Sequence, residues 1–500
     1  MKLTLRIAAC LLCLVLCLSA IACANNSGDD VQTTTPADNT TPAPGQDTDS
    51  PTSDTSEGPE SSLPELNFGG KQITTLYWED VERAEFFEDD ITGDNVRDAI
   101  HARNLAVEEQ LGVRLNYVGT PGNVNHSSDY LKKVQNSFNA GEKIYNILAS
   151  HSRTGAVVAA GGMTQNLLAI EDSYLDLEKP WWPPTMVGTS TIGNGMYFIS
   201  GDISTNTLHF MYGIYYNMDM VTDRGLDDPT DLALAGTWTI DKMIAMTTDM
   251  YEDVNNNNVA DYGDFFGLST LYFHADSFYS AAGMRWIDKD ANGYMQVSAD
   301  YGSEKSINLA EKLSSWFSSG VCFTKNNNNE VCKTFAEGNS LFTQNRIYIA
   351  DSQHTCGLNS ASFKYGVVPV PKYDEAQDSY YTTVGNPFTL YEVMKGSNDQ
   401  DVATAVLECL AYHGYKLTTP AIFEVNMKYK YSSGDKTAQC FDLIHDNIVF
   451  DLGRLFGAQL NTMSELWSKA CVNGTGWSGQ VKANEKSISR MVTKLNSSFD

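Results

Sequence analysis

The chain has 500 residues, and its 62 acidic side chains outnumber its 34 basic ones, so its formal net charge is −28 at pH 7. A protein this anionic is repelled by nucleic acids and by anionic lipid surfaces, so both are poor candidates as partners. Because one hydrophobic core seldom supports a folded body of about 435 residues, we expect at least two domains.

The first 22 residues are predicted to be a signal peptide. Lys2 and Arg6 precede an apolar run, Ile7–Ala22, which is long enough for a secretory signal and short for a membrane span. Cys23 follows, and this junction resembles the lipobox of bacterial lipoproteins, in which the cysteine thiol receives a diacylglycerol. Because two acyl chains suffice for stable anchoring, we expect a lipid anchor at the outer face of the cell membrane. An ordinary cleaved signal with an incidental cysteine is the alternative.

Residues 23–65 are predicted to be the lipidated cysteine and a disordered tether. Residues 24–64 are rich in Thr, Ser, Pro, Asp and Gly, and they contain no Lys, Arg or aromatic residue. Such a segment cannot bury enough apolar surface to offset its chain entropy. We therefore expect it to hold a folded body away from the membrane.

The first part of the folded body alternates between predicted strands and helices. Strands are predicted at Lys71–Glu79, Val113–Gly119 and Tyr145–Ser150, and helices from Asn95 to Gly112 and from Ser127 to Gly141. This order favours an α/β fold with a parallel, doubly wound sheet. Ligands of such sheets bind beyond the carboxyl ends of the strands, where Trp78, Glu79 and Ser150–Arg153 are placed.

The later elements suggest a second lobe. A strand is predicted at Leu208–Asn217, and helices begin at Thr239 and cover residues 307–317. Strand patterns return at 340–345, 364–371 and 380–393, and the last hundred residues are mainly helical. This alternation predicts a chain that passes twice between two lobes.

Four segments resemble large extracellular solute-binding lipoproteins of family 1, and they occupy residues 93–115, 215–246, 333–342 and 364–385. The resemblance covers nearly the whole folded body and implies a two-lobed, periplasmic-binding-protein-like (type II) fold with a hinge. It also implies a solute, most often a carbohydrate, delivered to the permease of an ABC importer. By this analogy, lobe 1 holds residues 66–207 and 340–396, and lobe 2 holds residues 218–338 and 400–500. A monomer is expected.

Residues 253–264 match the spacing of an EF-hand-like calcium loop. Positions 1, 3, 5, 7, 9 and 12 are Asp253, Asn255, Asn257, the Val259 carbonyl, Asp261 and Asp264. Asn258 replaces the usual turn glycine, and Asp264 replaces the usual bidentate glutamate. We therefore predict a weak structural calcium site and no other cofactor, with an ion-free Asx-rich turn as the alternative.

Aromatic rings and hydrogen-bonding side chains are the groups that bind sugars. The predicted stacking residues are Trp78, Trp181, Trp182, Tyr212 and Trp286. The predicted polar ligand-binding residues are Glu79, Asp202, Asn206 and Asn386. For each aromatic residue the alternative is ordinary core packing.

Six cysteines follow the tether, too few for a disulfide scaffold in a body of this length. Cys322 and Cys332 bracket an Asn-rich loop that a disulfide could close, and buried free thiols are the alternative.

The sequence carries no strong catalytic motif. It lacks G-x-S-x-G, H-E-x-x-H and a phosphate-binding G-x-x-x-x-G-K, and we therefore expect a binding protein rather than an enzyme. A glycosidase carboxylate pair would leave no recognisable pattern among 62 acidic residues. The alternatives are thus a secreted polysaccharide-degrading enzyme and a ligand-presenting subunit of a membrane sensor. Peptides, polyamines and nucleosides are alternative solutes.

Overall fold

The computed structural model describes residues 58–351 and 354–499. The predicted signal peptide, Cys23 and tether residues 24–57 lie outside this part of the chain. Within it, no helix combines the length and the apolar character that crossing a membrane requires.

The predicted tether extends too far, because its last residues contact the folded body. The Glu60 carboxylate accepts hydrogen bonds from Tyr412 Oη (2.6 Å) and Lys416 Nζ (3.0 Å). Leu63 and Leu66 pack against a hydrophobic core. The polar composition of residues 24–64 did not predict the contact that Leu63 makes, and Leu66 lies just past the predicted tether.

The described strands form two main sheets and three two-stranded pairs. They are, in chain order, β1 (Lys71–Trp78), β2 (Val113–Thr120), β3 (Ile147–His151), β4 (Thr191–Ile192), β5 (Gly195–Met196), β6 (Tyr212–Asn217), β7 (Tyr251–Glu252), β8 (Phe265–Leu271), β9 (Ile287–Lys289), β10 (Met295–Val297), β11 (Cys322–Lys325), β12 (Ser340–Arg346), β13 (Tyr365–Val368), β14 (Thr382–Thr383), β15 (Thr389–Val393) and β16 (Ile448–Val449).

The α-helices are α1 (Asn95–Leu111), α2 (Ser127–Ala140), α3 (Ser152–Ala160), α4 (Pro184–Ser190), α5 (Thr205–His209), α6 (Met218–Asp223), α7 (Pro229–Leu234), α8 (Ile240–Met246), α9 (Asp276–Ala281), α10 (Glu304–Phe317), α11 (Asn328–Ala336), α12 (Gln400–His413), α13 (Asp435–His445), α14 (Leu452–Leu455), α15 (Met463–Asn473) and α16 (Trp477–Asn496). Between α12 and α13 the chain forms wider π-type turns at Gly414–Thr418 and Ala421–Lys430.

The first sheet confirms the predicted α/β pattern. Its strand order is β2-β1-β3-β15, in which β1 runs parallel to β2 and β3, and β15 runs antiparallel to β3. Helix α1 begins where Asp94 accepts hydrogen bonds from the N–H groups of Val96 and Arg97. It ends at Gly112, whose φ of 58° suits a residue without a side chain. One hydrophobic core surrounds this sheet.

The second sheet has the order β11-β8-β12-β6-β13. Strand β8 runs parallel to β11 and β12, whereas β6 runs antiparallel to β12 and β13. The predicted strand at Leu208–Asn217 is shorter than expected, because Thr205–His209 forms α5 and β6 begins at Tyr212. A second, larger hydrophobic core surrounds this sheet.

The lobe boundaries differ from the predicted ones. Strands β12 and β13, predicted in lobe 1, pair with β6 of the second sheet. Helix α12, predicted in lobe 2, packs against α1 and β15 of the first sheet. Strand pairing joins residues more than a hundred positions apart, and local sequence patterns do not encode it. Below, lobe 1 denotes the first sheet with its helices, and lobe 2 denotes the second.

Three connections join the lobes. Isolated antiparallel β-bridges mark the ends of two of them: Ile199 pairs with Tyr391 in lobe 1, and Met211 pairs with Val384 at lobe 2. Residues 200–210 and residues 385–390 therefore run between the lobes in opposite directions. The third connection, residues 414–434, leads from α12 to α13, which packs on β13. The predicted two crossings are thus three, since α12 belongs to lobe 1.

Candidate functional site

A cavity of about 410 Å³ lies between elements of the two lobes. Lobe 1 contributes the loop after β1 and the first turn of α1, lobe 2 contributes the segment from β12 to β13, and the connections contribute α5 and the end of the π-type turns. The lining residues are Arg83, Ala84, Glu88, Asp94, Val96, Arg97, His209, Ala350, Asp351, Asn359, Tyr365, Asn426, Lys430 and Tyr431. Its volume suits a small solute.

Arg83 follows β1 and forms one wall of this cavity. Its Nε lies 3.4 Å from Asp351 Oδ2 of lobe 2, an ion pair that joins the lobes. Its guanidinium carbon lies 5.0 Å from the centre of the Tyr348 ring. Nε and Nη2 are buried, and neither donates a hydrogen bond to a described residue. Buried donors without acceptors are unfavourable, so these two are available to a bound solute.

His209 stands at the end of α5, in the connection between the lobes. Its side chain is buried, and its Nδ1 has no hydrogen-bond partner among the described residues. Burial lowers the pKa of His209 to about 4. The imidazole is therefore neutral at physiological pH, when each ring nitrogen can only donate or only accept.

Arg346 ends β12 and contacts the same Tyr348 ring as Arg83, but it does not line the cavity. Its guanidinium lies between two rings, 4.9 Å from the centre of Phe210 and 4.8 Å from that of Tyr348. Nη2 donates to Tyr348 Oη (3.0 Å), whereas the buried Nε has no partner among the described residues. The Tyr348 ring thus contacts two guanidinium groups, that of Arg83 from lobe 1 and that of Arg346 from lobe 2.

A second polar group spans the lobes near Tyr212. Arg454 Nε pairs with Asp276 Oδ2 at 3.0 Å, and both side chains are almost fully buried. Burial raises the pKa of Asp276, and the nearby positive charges of Arg454 and Arg153 oppose that shift. Arg153 of α3 also pairs with Glu465 of α15 at 2.8 Å. The Arg153–Glu465 ion pair therefore joins lobe 1 to lobe 2.

The four predicted tryptophans are fully buried, and none lines the 410 Å³ cavity. Trp78 Nε1 donates to Thr389 Oγ1 (2.9 Å). Trp181 and Trp182 both donate to the Glu408 carboxylate, at 2.9 and 2.7 Å. Trp286 stacks on Tyr279 with ring centres 3.6 Å apart. Packing between elements thus places these rings outside this cavity, and their stacking roles stay a prediction.

The remaining predicted ligand residues are scattered. Tyr212 is buried, with its ring centre 4.9 Å from that of His274. Asp202 accepts from Thr419 Oγ1 (2.6 Å), and burial raises its pKa to about 6. Glu79 is exposed past the end of β1. None of these three residues lines the cavity.

The two predicted asparagines lie in the connections between the lobes. Asn206 Nδ2 donates to Glu85 Oε2 (2.5 Å) and to the Arg83 carbonyl (3.3 Å), so it supports the loop that carries Arg83. Asn386 faces Arg153, and with its amide oxygen toward the guanidinium it accepts from Nε and Nη2 at 3.2 Å each. Both residues position arginines instead of lining the cavity.

The sequence patterns did not indicate Arg83 or His209, which line the cavity. Arg83 follows the carboxyl end of β1, where the rule for such sheets places ligands. His209 precedes β6, which runs antiparallel to β12, so only the strand pairing shows that it lies at the same edge as the carboxyl end of β12. Aromatic residues alone do not mark this cavity, which is lined mainly by charged and amide side chains.

The predicted calcium loop folds back on itself through its own side chains. Asp253 accepts from the N–H groups of Asn257 (3.2 Å) and Asn258 (2.8 Å), whose φ of 61° replaces that of a glycine. The Asp261 carboxylate accepts from the Asn255 and Asn257 amides at 3.0 and 2.8 Å. The Val259 side chain is exposed. Five of the six predicted positions therefore lie in one exposed loop.

Asp264, the sixth predicted ligand, is fully buried. Its carboxylate accepts from the N–H groups of Val254 (3.1 Å) and Asp261 (3.2 Å). The side chain thus closes the loop from inside. The oxygen donors suit a hard cation, and calcium binding stays a prediction.

The disulfide joins Cys332 to Cys356, not to Cys322 as the bracketing of the loop suggested. Cys322, Cys409, Cys440 and Cys471 are free thiols. The bond ties α11 to the segment that follows β12, because packing in lobe 2 brings these two regions together.

A sequence profile of the bacterial extracellular solute-binding proteins matches residues 103–416. No curated protein sequence matches the chain significantly. Solved structures that share its fold include the following three. The GacH receptor of Streptomyces glaucescens, solved unliganded and with acarbose, is 12% identical, and the match covers 85% of this chain and 99% of that chain with a TM-score of 0.52. The maltose-binding protein of Listeria monocytogenes, solved with maltose, is 13% identical, with coverages of 85% and 98% and a TM-score of 0.54. A solute-binding protein of Agrobacterium radiobacter, solved with ribitol, is 10% identical, with coverages of 85% and 100% and a TM-score of 0.52. The two-lobed type II α/β fold is thereby established.

Proposed function

Because the chain belongs to the family of bacterial extracellular solute-binding proteins, we propose that it captures a carbohydrate between its lobes and delivers it to an ABC importer. The observation that carries this proposal is the cavity between the lobes, into whose walls both lobes and their connections place polar side chains. Several structural relatives were solved with saccharides, which supports a carbohydrate over the alternative solutes. Peptides, polyamines and nucleosides stay as less supported candidates.

The buried donors of the cavity explain how a polyhydroxylated solute would be held. Arg83 Nε and Nη2 need acceptors, and His209 Nδ1 needs a partner of its own. A sugar hydroxyl both donates and accepts, so it satisfies either kind of group. The solute therefore replaces hydrogen bonds that the protein does not make alone.

Hinge motion would couple binding to delivery. Arg83 belongs to lobe 1 and Asp351 to lobe 2, and their ion pair lies at the cavity. A solute that touches both walls binds the closed form better than the open form, and it shifts the population toward closure. The closed form is then the species that a permease would recognise.

We further propose that Cys23 carries a lipid and that the chain works at the outer face of the membrane as a monomer. Residues 23–57 would form the tether, and residues 58–66 would attach it to lobe 1, where Glu60 contacts Lys416 and Tyr412. The predicted loop at residues 253–264 would bind calcium and stabilise lobe 2 without taking part in solute binding.

A carbohydrate screen tests the proposed function. The mature chain is mixed with saccharides of different composition, and the melting temperature and calorimetric heat are measured. A bound sugar raises the melting temperature by linkage, by an amount that grows with its concentration. Binding without a change in the sugar supports a binding protein, whereas released products detected by chromatography support the degrading enzyme. No response to any saccharide contradicts the proposal.

Uptake of the labelled sugar distinguishes an importer from a sensor. A strain lacking this chain loses uptake if the chain serves a permease. If uptake persists and only the transcriptional response is lost, the chain presents its ligand to a sensor.

A further inference from the structure

Two guanidinium groups lie against one aromatic ring. Arg83 of lobe 1, which lines the cavity, and Arg346 of lobe 2 approach the Tyr348 ring to 5.0 and 4.8 Å from its centre. Both groups are positively charged, so an anion bound near this ring is attracted to both of them.

The protein supplies little negative charge to this pair. Arg83 has an ion pair with Asp351, in which the nitrogen and oxygen are 3.4 Å apart. Within residues 58–351 and 354–499, no carboxylate forms a salt bridge with Arg346, although the Arg346 side chain is buried. Burial disfavours the charged form of Arg346, whereas Tyr348, Tyr212 and the Glu82 carboxylate favour it. Because Glu82 acts without a salt bridge, an anion bound at the cavity would add to a compensation that is only partial.

The other carboxylates at the cavity are already engaged. Glu88 receives two hydrogen bonds from Arg97, at 2.7 and 2.8 Å. Asp94 accepts two backbone N–H groups at the start of α1, each at 3.0 Å. Glu88 and Asp94 thus stabilise the loop after β1 and the start of α1, and neither forms a salt bridge with Arg83 or Arg346.

The free donors also match an anion in number and kind. Arg83 Nε and Nη2 and Arg346 Nε are buried N–H groups of charged side chains without hydrogen-bond partners among the described residues. Guanidinium N–H groups bind carboxylate oxygens with short, charge-assisted hydrogen bonds, and often two at once.

We propose that the solute is an acidic saccharide, of the uronate class, whose carboxylate binds Arg83 with support from Arg346. This inference rests on the proposed function and makes its ligand more specific. His209, neutral at physiological pH, then contacts a hydroxyl of the same sugar. Lys430, which also lines the cavity, adds positive charge at its wall, whereas the charge of Arg97 is paired with Glu88.

The test compares an acidic oligosaccharide with its own carboxyl-reduced form. An oligogalacturonide and the same oligosaccharide with each carboxylate reduced to a primary alcohol are titrated into the mature chain by calorimetry, with a sulfated sugar as a third arm. We expect the acidic form to bind about 10- to 100-fold more tightly, and its affinity to fall as salt rises. Equal or tighter binding of the reduced form overturns the acidic-sugar inference and leaves the proposed function intact. Binding of the sulfated sugar alone overturns the uronate assignment. Silence with neutral and acidic saccharides alike overturns the proposed function itself.

Variants identify the residue responsible. Arg83→Gln is expected to weaken binding of the acidic sugar about 10- to 100-fold and binding of the reduced form by a clearly smaller factor. The acidic sugar loses a charge-assisted contact, whereas the reduced sugar loses only a hydrogen bond to a neutral hydroxyl. Arg83→Lys should retain part of the affinity and the salt dependence. The matched control is Arg224→Gln, since exposed Arg224 also lies over an aromatic ring, 5.1 Å from the centre of Phe265, and does not line the cavity. An equal loss for both forms of the sugar contradicts the assignment of Arg83. The Arg83→Gln substitution also removes the ion pair of Asp351. The double variant, Arg83→Gln with Asp351→Asn, should therefore show the same selectivity between the acidic and the reduced sugar.

Discussion

The indole N–H of Trp182 donates a hydrogen bond to the buried carboxylate of Glu408 across 2.7 Å. The Asp176 N–H donates to the same oxygen at 3.1 Å, and the second oxygen of the carboxylate accepts from Trp181 at 2.9 Å. Glu408 belongs to α12, and thus one side chain of α12 fixes the loop that carries both tryptophans onto lobe 1. Trp181 and Trp182, which were predicted to contact the ligand, thus make a structural contact with Glu408.

Glu408→Ala is predicted to destabilise the protein without changing its solute selectivity. It leaves two buried indole N–H groups and one backbone N–H unpaired, so we expect a loss of roughly 2–4 kcal/mol in the free energy of unfolding. Urea denaturation measures the loss, and Glu109→Ala on exposed α1 surface is the control. Glu408→Gln keeps one acceptor and should lose less. Unchanged stability in Glu408→Ala would show that water replaces the carboxylate.

Stability is predicted to fall as the pH drops from about 6.5 to about 4, in part through His209. Its pKa is lowered to about 4 in the folded protein by burial, whereas an unfolded histidine titrates near 6.5. The unfolded chain therefore binds one more proton in this window, and stability rises with pH. The full contribution is present above pH 6.5, and roughly 3 kcal/mol is lost by pH 4.

The comparison that isolates His209 uses His209→Asn. Its free energy of unfolding is measured from pH 7.5 to 4 beside that of the wild type, so other titrating groups cancel in the difference. The variant should show the smaller slope between pH 6.5 and 4. Identical slopes would mean that His209 is protonated in the folded state.

Glu465→Gln is predicted to favour the open form of the ligand-free protein. The Arg153–Glu465 ion pair, 2.8 Å long, joins α3 of lobe 1 to α15 of lobe 2. Because both side chains are partly exposed, we expect a change of about 0.5–1 kcal/mol in the closure equilibrium. Small-angle X-ray scattering should show a larger radius of gyration than in the wild type. Asp227→Asn, which removes the ion pair with Lys242 on the surface, should leave the radius unchanged.

The Cys332–Cys356 disulfide is predicted to stabilise lobe 2. It closes a loop between positions 24 residues apart, which corresponds to roughly 3 kcal/mol of chain entropy. A protein with both cysteines replaced by serine should melt at a lower temperature, and reducing agent should then have no further effect. Thiol titration of denatured, unreduced protein that lacks Cys23 should give four thiols, as the free cysteines indicate. Six thiols would contradict the bond.

Millimolar calcium is predicted to raise the melting temperature through the loop at residues 253–264. Asp253 and Asp261 supply its partly exposed carboxylates, and a chain with both replaced by asparagine should not respond. Magnesium at the same concentration is the control for ionic strength. A wild-type protein that melts at the same temperature with calcium and with chelator would identify the segment as a turn closed by its own side chains.

Local patterns in the sequence located most elements of lobe 1. The apolar stripe of α1, its cap at Asp94 and the glycine at 112 are short-range features, and the helix begins and ends where they indicate. The parallel pairing of β1 with β2 and β3 follows because the connecting helices leave few other topologies. The family resemblance, carried by residues spread over the chain, gave the two-lobed fold.

Only the tertiary structure decided which lobe receives each late segment and which side chains reach the cavity. Strand β12 joins β6 and β8 across large sequence separations, and α12 returns to lobe 1. Trp181 and Trp182 were plausible sugar-stacking residues until Glu408, more than 220 positions away, was found to accept both indole N–H groups. The physical reason is that burial and hydrogen-bond partners depend on contacts between distant residues, whereas periodicity and capping are set by neighbours along the chain.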